Sequence, residues 1–321
     1  MNLFDLSLAA DMGSSSTRLA SEKGVSENET AAALDPDNSS RVLAVGDASR
    51  KILAVSRAFP VRGGIANVPL AALILRRLAL DHLKRRTLAG VTLLMAVPSG
   101  APDTLRAAAA ETGSEAGFRK TSLIPSLLAG ACGAGLDIRS HRAQMIVDIG
   151  REQLSAAVFA NGGVISETWS RCGSVTVDRH LMAWFASEQG LLITSRTAER
   201  LKRSLDKPAS RISCRDASGM ACVRQIRSGL VREAAEFSIS RMCGQIVSLI
   251  GTVPPDAAAD LCDTGVTLIG GGALQYGLAE SLEARLGIPV RTAEGAQTAA
   301  VMGMRRLSKP DTKRWINTVQ A

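Results

Sequence analysis

Three consecutive glycines, Gly270, Gly271 and Gly272, follow the apolar run 266–269 and precede a helix-like segment. Glycines at the end of a buried strand let the backbone come close to a phosphate, and backbone N–H groups are donors that a phosphate can use. The same kind of turn also occurs where two segments only have to pack closely. The pattern therefore predicts either a phosphate-binding turn or a close packing contact.

Two Asp-x-Gly turns occupy corresponding places in the two halves of the chain. The turn 11–13 ends an apolar strand candidate, and the turn 148–150 ends another. A second run with strand character follows each turn. The repeat favours a duplicated domain around a shared cleft, although two turns this short also resemble each other by chance.

A charged segment in the second half has helical spacing. Glu199 stands three residues before Lys202 and four before Arg203, so all three would project to one side of a helix. A purine nucleotide needs polar groups for its ribose, and such a face could supply them. The same spacing also makes ordinary ion pairs on an exposed helix, which is the simpler interpretation from these residues alone.

Composition narrows the class of protein. A chain of 321 residues with 46% hydrophobic and 21% charged residues is typical of about two globular domains. Aromatic residues make up 3%, which argues against a stacking surface for nucleic acid, and the net charge of +8 favours contact with anions. The six cysteines form no C-x-x-C pair, and no signal peptide or membrane span is predicted, so we expect a cytoplasmic protein with reduced thiols.

The hydrophobic pattern places the motifs on alternating strands and helices. The continuous apolar run 91–97 predicts a buried strand, and the small residues of 125–135 favour a helix that packs very closely on another element. The polar segment 21–40 is predicted to lie at the surface, and a second polar patch, 207–215, lies among the helical patterns of 176–250. Other helices are predicted over 68–88, 103–112, 296–306 and from Pro254 onward.

The order of these motifs resembles the actin-like ATPase superfamily, and specifically the MreB family of bacterial cell-shape proteins. Residues 11–17, Asp-Met-Gly-Ser-Ser-Ser-Thr, resemble the family's Asp-Leu-Gly-Thr-Ala-Asn-Thr. Residues 191–202, Leu-Leu-Ile-Thr-Ser-Arg-Thr-Ala-Glu-Arg-Leu-Lys, resemble Leu-Leu-Ile-Gly-Glu-Arg-Thr-Ala-Glu-Arg-Ile-Lys, and residues 254–278 also agree in many places. The similarity covers nearly the whole chain.

The resemblance implies an α/β fold of the actin-like ATPase type, with two duplicated lobes around a nucleotide cleft. The first lobe would comprise residues 1–140, with subdomain IA, with subdomain IB at about 29–70, and with the closing helix 296–321 returning to it. The second lobe would comprise residues 141–295, with subdomain IIA and with subdomain IIB at about 180–240.

The resemblance also implies ligands and partners. ATP would be the nucleotide, with Mg²⁺ held through water near Asp11 and Asp148 and without direct protein ligands. The chain would assemble into filaments, alone or with other MreB-type subunits, in the cytoplasm at the inner face of the cell membrane. Nucleic acid is not expected as a partner.

The family's motifs assign residues of this chain to the nucleotide. The first phosphate loop would be Gly13, Ser14, Ser15 and Ser16, and the second would be Gly150, Arg151 and Glu152. The adenosine side would be Glu199, Arg200, Leu201, Lys202, Arg203, Gly270, Gly271, Gly272, Ala273 and Leu274.

The chain departs from the family where hydrolysis takes place. Ser126 stands where the family has a glutamate thought to position the attacking water, so the candidate catalytic residues are Asp11, Asp148 and this serine. Arg151 and Glu152 replace two glycines of the second phosphate loop. In the family's Gly-Gly-Asp-x-x-Asp segment Val175 replaces the first aspartate, and only the second, Asp178, persists. We therefore expect a filament protein that is at most a slow ATPase.

Other functions stay open. A catalytically inert MreB paralogue could act as a scaffold or regulator of another filament, and a plasmid-segregating actin homologue is a further alternative. A membrane contact is predicted at Leu88 and at Lys84, Arg85 and Arg86. Basic residues add about 1 kcal/mol each at an anionic surface, so this anchor would need the avidity of a filament. A solvated helix end is an equally good interpretation of the basic triplet.

Overall fold

The computed structural model describes residues 7–52 and 55–308. Within them the chain forms two compact units. The first comprises the residues up to His141, Phe159–Glu167 and the residues from Ala293 onward, and the second comprises Arg142–Val158 and Thr168–Thr292.

The first unit begins with strands, and α-helices alternate with strands only from Val68 onward. Its strands are β1 Ser7–Met12, β2 Ser16–Ser21, β3 Gly24–Glu29, β4 Ala32–Leu34, β5 Val42–Val45, β6 Ser56–Ala58, β7 Thr92–Val97 and β8 Lys120–Pro125. Its helices are α1 Val68–Leu83, α2 Asp103–Glu115 and α3 Ser126–Gly133. A 3-10 helix, Gly46–Lys51, follows β5, and another, Ala296–Thr298, lies in the later part of this unit.

The main sheet of the first unit has the order β3-β2-β1-β7-β8. Its first three strands form an antiparallel meander, whereas β7 and β8 join parallel to β1. The core lies between this sheet and α1, where Leu8, Ile74, Leu75 and Leu93 are completely buried. This arrangement places the turn after β1 at the edge of a rigid, well-packed layer.

The second half of the chain repeats the plan, and apart from the segment Phe159–Glu167 its strands belong to the second unit. Its strands are β9 Gln144–Ile149, β10 Leu154–Ala160, β11 Gly163–Ser170, β12 Ala209–Arg215, β13 Ala221–Arg227, β14 Val266–Ile269 and β15 Val290–Thr292. Its helices are α4 Ser174–Gln189, α5 Ser195–Arg203, α6 Ser228–Ile250, α7 Pro255–Thr264 and α8 Leu278–Leu286, and α9 Ala299–Leu307 then belongs to the first unit.

The two main sheets share one topology. The second has the order β11-β10-β9-β14-β15, in which β14 is parallel to both β9 and β15. Each sheet is thus a three-strand meander followed by two strands that join on the side of its first strand. The duplication predicted from two short turns is confirmed.

Helix α3 packs against α9 at backbone distance, as its small residues predicted. A Cβ on Gly133 would lie 1.8 Å from the carbonyl oxygen of Ala299, and a Cβ on Gly303 would lie 1.7 Å from that of Ala129. The guanidinium of Arg306 donates to the carbonyl oxygens of Cys132 and Gly133 at 2.6 and 3.1 Å, which satisfies the end of α3. Any larger side chain at these glycines would force the two helices apart.

Two expectations about elements were wrong, and one element was not predicted. The polar segment 21–40 is not a surface excursion, because it contains β3 and β4 and because Thr30 and the alanines 31–33 are completely buried. The polar patch 207–215 and the residues after it form the hairpin β12–β13, a two-stranded sheet. Helix α1 stops at Leu83, since Lys84 adopts the left-handed conformation with φ of 52°.

No helix among the residues 7–52 and 55–308 has the length and apolar character needed to cross a membrane.

Candidate functional site

The first phosphate-loop candidate is a tight turn between β1 and β2. The N–H of Gly13 donates to the carbonyl oxygen of Ser16 at 3.0 Å. The hydroxyl of Ser14 accepts from the N–H of Gly63 at 3.2 Å, and the carbonyl oxygen of Ser15 accepts from Thr30 at 3.0 Å. Residues 13–16 are all half-buried. The loop is thus held through its backbone and keeps small hydroxyl side chains near the surface.

Asp11 lies next to this turn on β1, opposite Arg18 of β2. Burial raises the pKa of its carboxyl above the ordinary value, the positive charge of Arg18 opposes that shift, and the negative charge of Glu27 adds to it. Arg18 is itself paired with Glu27, with 2.7 Å between nitrogen and oxygen. Burial therefore disfavours the charged form of Asp11, and the charge of Arg18 offsets only part of that effect.

Ser126 is the first residue of α3 and is 8% exposed. Its hydroxyl has no hydrogen-bond partner among the described residues. The next residue, Leu127, donates its N–H to the hydroxyl of Ser99 at 3.3 Å. A buried hydroxyl at the start of a helix can hold a water molecule, but it is a weak general base at neutral pH.

The second phosphate-loop candidate has the same backbone turn as the first. The N–H of Gly150 donates to the carbonyl oxygen of Gln153 at 2.9 Å. Glu152 forms an ion pair with Arg179 of α4 at 3.7 Å, and the side-chain oxygen of Gln153 accepts from the indole of Trp169 at 3.0 Å. Glu152 therefore has a basic partner on a neighbouring helix.

Arg151 links this loop to two helices. Its Nη1 lies 3.6 Å from Oε2 of Glu199 on α5 and 3.9 Å from Oδ2 of Asp178 on α4. These distances are long for ion pairs, and the side chain is 26% exposed. A guanidinium has five N–H donors, so two loose contacts leave capacity for another anion.

Asp178 and Lys202 form the buried centre of this cluster. The Lys202 Nζ lies 2.6 Å from Oδ1 of Asp178 and donates to the carbonyl oxygen of Ser174 at 2.9 Å. The Asp178 side chain is completely buried, and neither of its oxygens has a well-aligned hydrogen-bond donor among the described residues. The contact between the two side chains is thus chiefly one of charge.

Burial shifts both pKa values of this pair toward the neutral forms. Desolvation raises the pKa of Asp178, while the positive charges of Lys202 and Arg151 oppose the rise. Desolvation lowers the pKa of Lys202, and the charge of Asp178 opposes that change. Each residue depends on the other to remain charged inside the protein.

On helix α5, Glu199, Lys202 and Arg203 do not all project to one side as the sequence predicted. Its first turn is capped by Thr194, whose hydroxyl accepts from the N–H of Thr197 at 3.2 Å. Arg203 is 71% exposed and pairs with Glu199 at 2.7 Å, as an ordinary helical ion pair would. Lys202 instead points inward, and Leu201 is a core residue with 1% exposure. Arg200 donates to the carbonyl oxygen of Arg211 at 3.4 Å.

Two of the three glycines, Gly270 and Gly272, have a packing role. A Cβ on Gly270 would lie 2.3 Å from Oδ1 of Asp148, and a Cβ on Gly272 would lie 2.4 Å from Cγ2 of Ile149. Gly270 also has φ of 86°, in the left-handed region. The close-packing interpretation is therefore sufficient for these two positions, whereas Gly271 and Leu274 are exposed and Ala273 is buried.

The first residues of α4 donate hydrogen bonds to the second loop. The N–H groups of Ser174 and Val175 donate to the carbonyl oxygens of Gly150 and Arg151 at 2.9 and 2.8 Å. A Cβ on Gly173 would lie 2.4 Å from the carbonyl oxygen of Arg151, so only glycine fits there. These two N–H groups at the helix start therefore already have acceptors within the protein.

Sequence reasoning missed the partners of the second loop. Asp178 was recognised only as the surviving acid of a family motif, and Arg179 and Trp169 carried no motif at all. The pair Asp178 and Lys202 joins two helices, which no spacing within one helix could reveal.

The residues predicted to contact the membrane do not share one exposed surface. Lys84, Arg85 and Arg86 are exposed, but Leu88 is 2% exposed and belongs to the hydrophobic core of the first unit. The apolar part of the predicted anchor therefore lies inside the protein in this structure.

Comparison with known families decides the relationship. The profile of the family described as MreB/Mbl protein matches residues 5–314. The chain belongs to the MreB/Mbl family. The resemblance seen in the motifs is confirmed across nearly its whole length.

Curated MreB and Mbl proteins are similar in sequence. The cell shape-determining protein MreB of Escherichia coli K12 is 30% identical over 219 residues, which cover 66% of this chain and 63% of that protein. The cell shape-determining protein Mbl of Bacillus subtilis 168 is 26% identical over 316 residues, which cover 94% of this chain and 95% of that protein. The chain thus matches less than two thirds of the E. coli protein.

Solved structures of MreB-type proteins share the fold. MreB5 of Spiroplasma citri bound to AMPPNP matches with a TM-score of 0.89 at 21% identity over 98% of both chains. The MamK double helical filament matches with a TM-score of 0.79 at 16% identity, over 94% of this chain and 98% of that one. The expected actin-like fold is confirmed.

Proposed function

We propose that this MreB/Mbl protein binds an adenine nucleotide, assembles into filaments and hydrolyses the nucleotide slowly. Its family membership and its similarity to MreB5 structures bound to AMPPNP and to ADP support nucleotide binding. The filament form of MamK supports self-assembly. A role in cell shape follows the names of the curated relatives.

One observation carries the proposal of slow hydrolysis. Asp178 is the surviving acid of the family motif, and it is completely buried against Lys202 at 2.6 Å. A carboxylate held in this way is not free to accept a proton from an attacking water. Ser126, at the other position where the family has an acid, offers only a hydroxyl. The loss of a positioned base typically costs a factor of about 10² to 10⁴ in rate.

The second loop supports nucleotide binding by a different route from glycine backbone donors. We assign Arg151 as a phosphate contact because it is 26% exposed and because its two ion pairs are 3.6 and 3.9 Å long. Glu152, the residue that would repel a phosphate, has Arg179 as its partner. Glu199 remains the candidate for the ribose, whereas Lys202 is engaged with Asp178.

Magnesium would be held through water at Asp11 and Asp148. The described residues contain no group of three His, Cys, Asp or Glu side chains that could surround a metal ion. Mg²⁺ usually keeps several waters and binds few carboxylates directly, so it would not require such a group. When bound, the ion would neutralise charge on the phosphates.

A phosphate-release assay on the purified protein with ATP and Mg²⁺ tests the proposal. We expect nucleotide binding by calorimetry but turnover at least about tenfold below that of an ordinary MreB, since a general base is missing. Ser126→Glu should raise turnover, and Asp148→Ala should weaken nucleotide binding. Turnover equal to that of ordinary MreB proteins, abolished by Asp148→Ala, would show that the hydrolysis proposal is wrong.

The filament proposal has its own test. Sedimentation of the purified chain with ATP should yield polymer, and sedimentation without nucleotide should yield less. A chain that stays in the supernatant alone but pellets with a regular MreB would instead be a scaffold or regulator of another filament. A chain that binds no nucleotide and never pellets would contradict both functions.

A further inference from the structure

Two cysteines face each other across the hairpin β12–β13. Cys214 and Cys222 are direct partners in the antiparallel register, and their sulfur atoms lie 3.4 Å apart. No disulfide joins them, as all six cysteines are free thiols. The two sulfurs are therefore in contact without a covalent bond.

The backbone hydrogen bonds define the geometry of this pair. Both the N–H and the carbonyl oxygen of Arg215 bond to Leu192, at 3.0 and 2.7 Å, on the side away from β13. Adjacent residues of a strand alternate in direction, so the N–H and carbonyl oxygen of Cys214 point toward β13. In such a hydrogen-bonded pair the Cα atoms lie about 5.5 Å apart, which falls within the range that a disulfide spans.

The end of the hairpin is fixed by its turn. The carboxylate of Asp216 accepts from the N–H groups of Ser218 and Met220, both at 3.0 Å. The N–H of Asp216 also donates to the carbonyl oxygen of Met220 at 3.0 Å. The two cysteines on either side of this turn are held in register, so a bond between them requires rotation of side chains rather than movement of strands.

The two thiols differ in accessibility. Cys214 is 8% exposed and lies on the inner face of the hairpin with Ile212 and Ile226, while Cys222 is only half-buried. Burial raises the pKa of the Cys214 thiol, and the nearby positive charge of Arg224 opposes the rise. A small oxidant would reach Cys222 first, and Cys214 lies where a resolving thiol is needed.

We propose that Cys214 and Cys222 form a reversible intramolecular disulfide, with a peroxide as the oxidant. The Cys222 thiolate attacks one peroxide oxygen, the O–O bond breaks, and a sulfenic acid and hydroxide form. The Cys214 sulfur then attacks the Cys222 sulfur, the S–S bond forms and the S–O bond breaks. The leaving hydroxide takes the Cys214 proton as water. A dithiol reduces the bond again, and the cross-link ties β12 to β13 next to the turn.

Peptide mapping of the full-length protein tests this site. The purified chain is treated with hydrogen peroxide under native conditions, free thiols are alkylated, and the protein is digested with trypsin without reduction. The two cysteines fall on different tryptic peptides, Ile212–Arg215 and Asp216–Arg224. We expect these two peptides, linked with the loss of two hydrogens, as the main disulfide product, and dithiothreitol should separate them.

Single Cys→Ser variants test which cysteines form the link. Cys214→Ser should leave Cys222 oxidised but unlinked, and Cys222→Ser should prevent formation of the linked pair. Cys262→Ser, which removes the exposed cysteine of α7, should leave the pair unchanged. A disulfide that forms only in guanidinium, or one that joins another pair of cysteines, would overturn the proposal. So would oxidation of Cys222 to a sulfinic acid without any link in the wild-type protein.

Discussion

The loops 13–16 and 150–153 share one backbone turn but differ in the residues at their tips and in what those side chains contact. In each, a glycine N–H donates to the carbonyl oxygen three residues later, at 3.0 Å in the first loop and 2.9 Å in the second. Buried and half-buried residues alternate identically over 11–17 and 148–154. Yet the first loop carries three serines, whereas Arg151, Glu152 and Gln153 each contact another element of the second unit.

This difference teaches which part of a duplicated site is free to change. The turn is required by the meander, because the returning strand must pair with the strand before it. The side chains at its tip are not under that constraint, and in the second loop those of Arg151 and Glu152 contact α4 and α5. The second loop therefore carries partly exposed charges where the first loop carries serines.

The largest effect is expected from removing the acid of the cluster. Asp178→Ala leaves Lys202 buried without its partner, which should lower the free energy of unfolding by about 3 to 5 kcal/mol. Guanidinium unfolding followed by circular dichroism measures this change. Asp178→Ala combined with Lys202→Met should recover most of the stability, because no buried charge remains. A loss below about 1 kcal/mol for the single variant would contradict the role given to this pair.

Arg151→Gly should restore a glycine to the second loop and remove the proposed phosphate contact. A hydrogen bond to a charged group contributes about 1.5 to 3 kcal/mol, so we expect ATP affinity to fall at least about tenfold in calorimetry. Arg41→Gly is the matched control, because it removes an exposed arginine that belongs to neither phosphate loop, and it should leave affinity unchanged. Tighter binding by Arg151→Gly would mean that the arginine blocks the phosphate site.

Asp11 at the first loop should give the protein a pH dependence. Its pKa in the folded protein is raised above 3.8, so the folded state holds the proton more tightly than the unfolded state. The resulting stabilisation is complete below the ordinary carboxyl pKa and is lost as pH rises through the raised value. Asp11→Asn has no carboxyl group to titrate, so it does not lose this stabilisation. The melting temperature of the variant minus that of the wild type should therefore increase from acidic to neutral pH. A difference that does not vary with pH would count against the shift.

The smallest predicted effect is the loss of stability when the glycine of each turn is replaced by alanine. A Cβ would lie 3.2 Å from the carbonyl oxygen of Ser16 in Gly13→Ala and 3.2 Å from that of Gln153 in Gly150→Ala. Both contacts are tight but tolerable, so each variant should lose about 1 kcal/mol of stability. Chemical denaturation of the two variants should give nearly equal values. Clearly unequal losses would show that the two turns are alike only in their hydrogen bonds.

Much of the fold was predictable because its signals are local. The apolar run 91–97 became β7, the small residues after Pro125 became the close contact of α3 with α9, and the proline at 255 began α7. The segment 21–40 was misjudged because its glutamates and asparagine suggested a loop. On β3, alternate residues face opposite sides, so polar composition did not exclude a strand.

The candidate site was predictable in part. The spacing of Glu199 and Arg203 predicted their ion pair, but it could not show that Lys202 turns inward to another helix. The glycines at 270 and 272 left two interpretations, and only the distances to Asp148 and Ile149 supply the packing reason.

The sequence by itself determined the duplicated plan and the family. Those properties follow from short motifs and from periodicity, which act between residues close along the chain. Only the tertiary structure decided that Arg151, Asp178 and Lys202 share one buried cluster, that Leu88 lies in the core, and that Cys214 faces Cys222. Charge and burial depend on distance in space, and that distance exists only after helices and strands from separate segments have packed together.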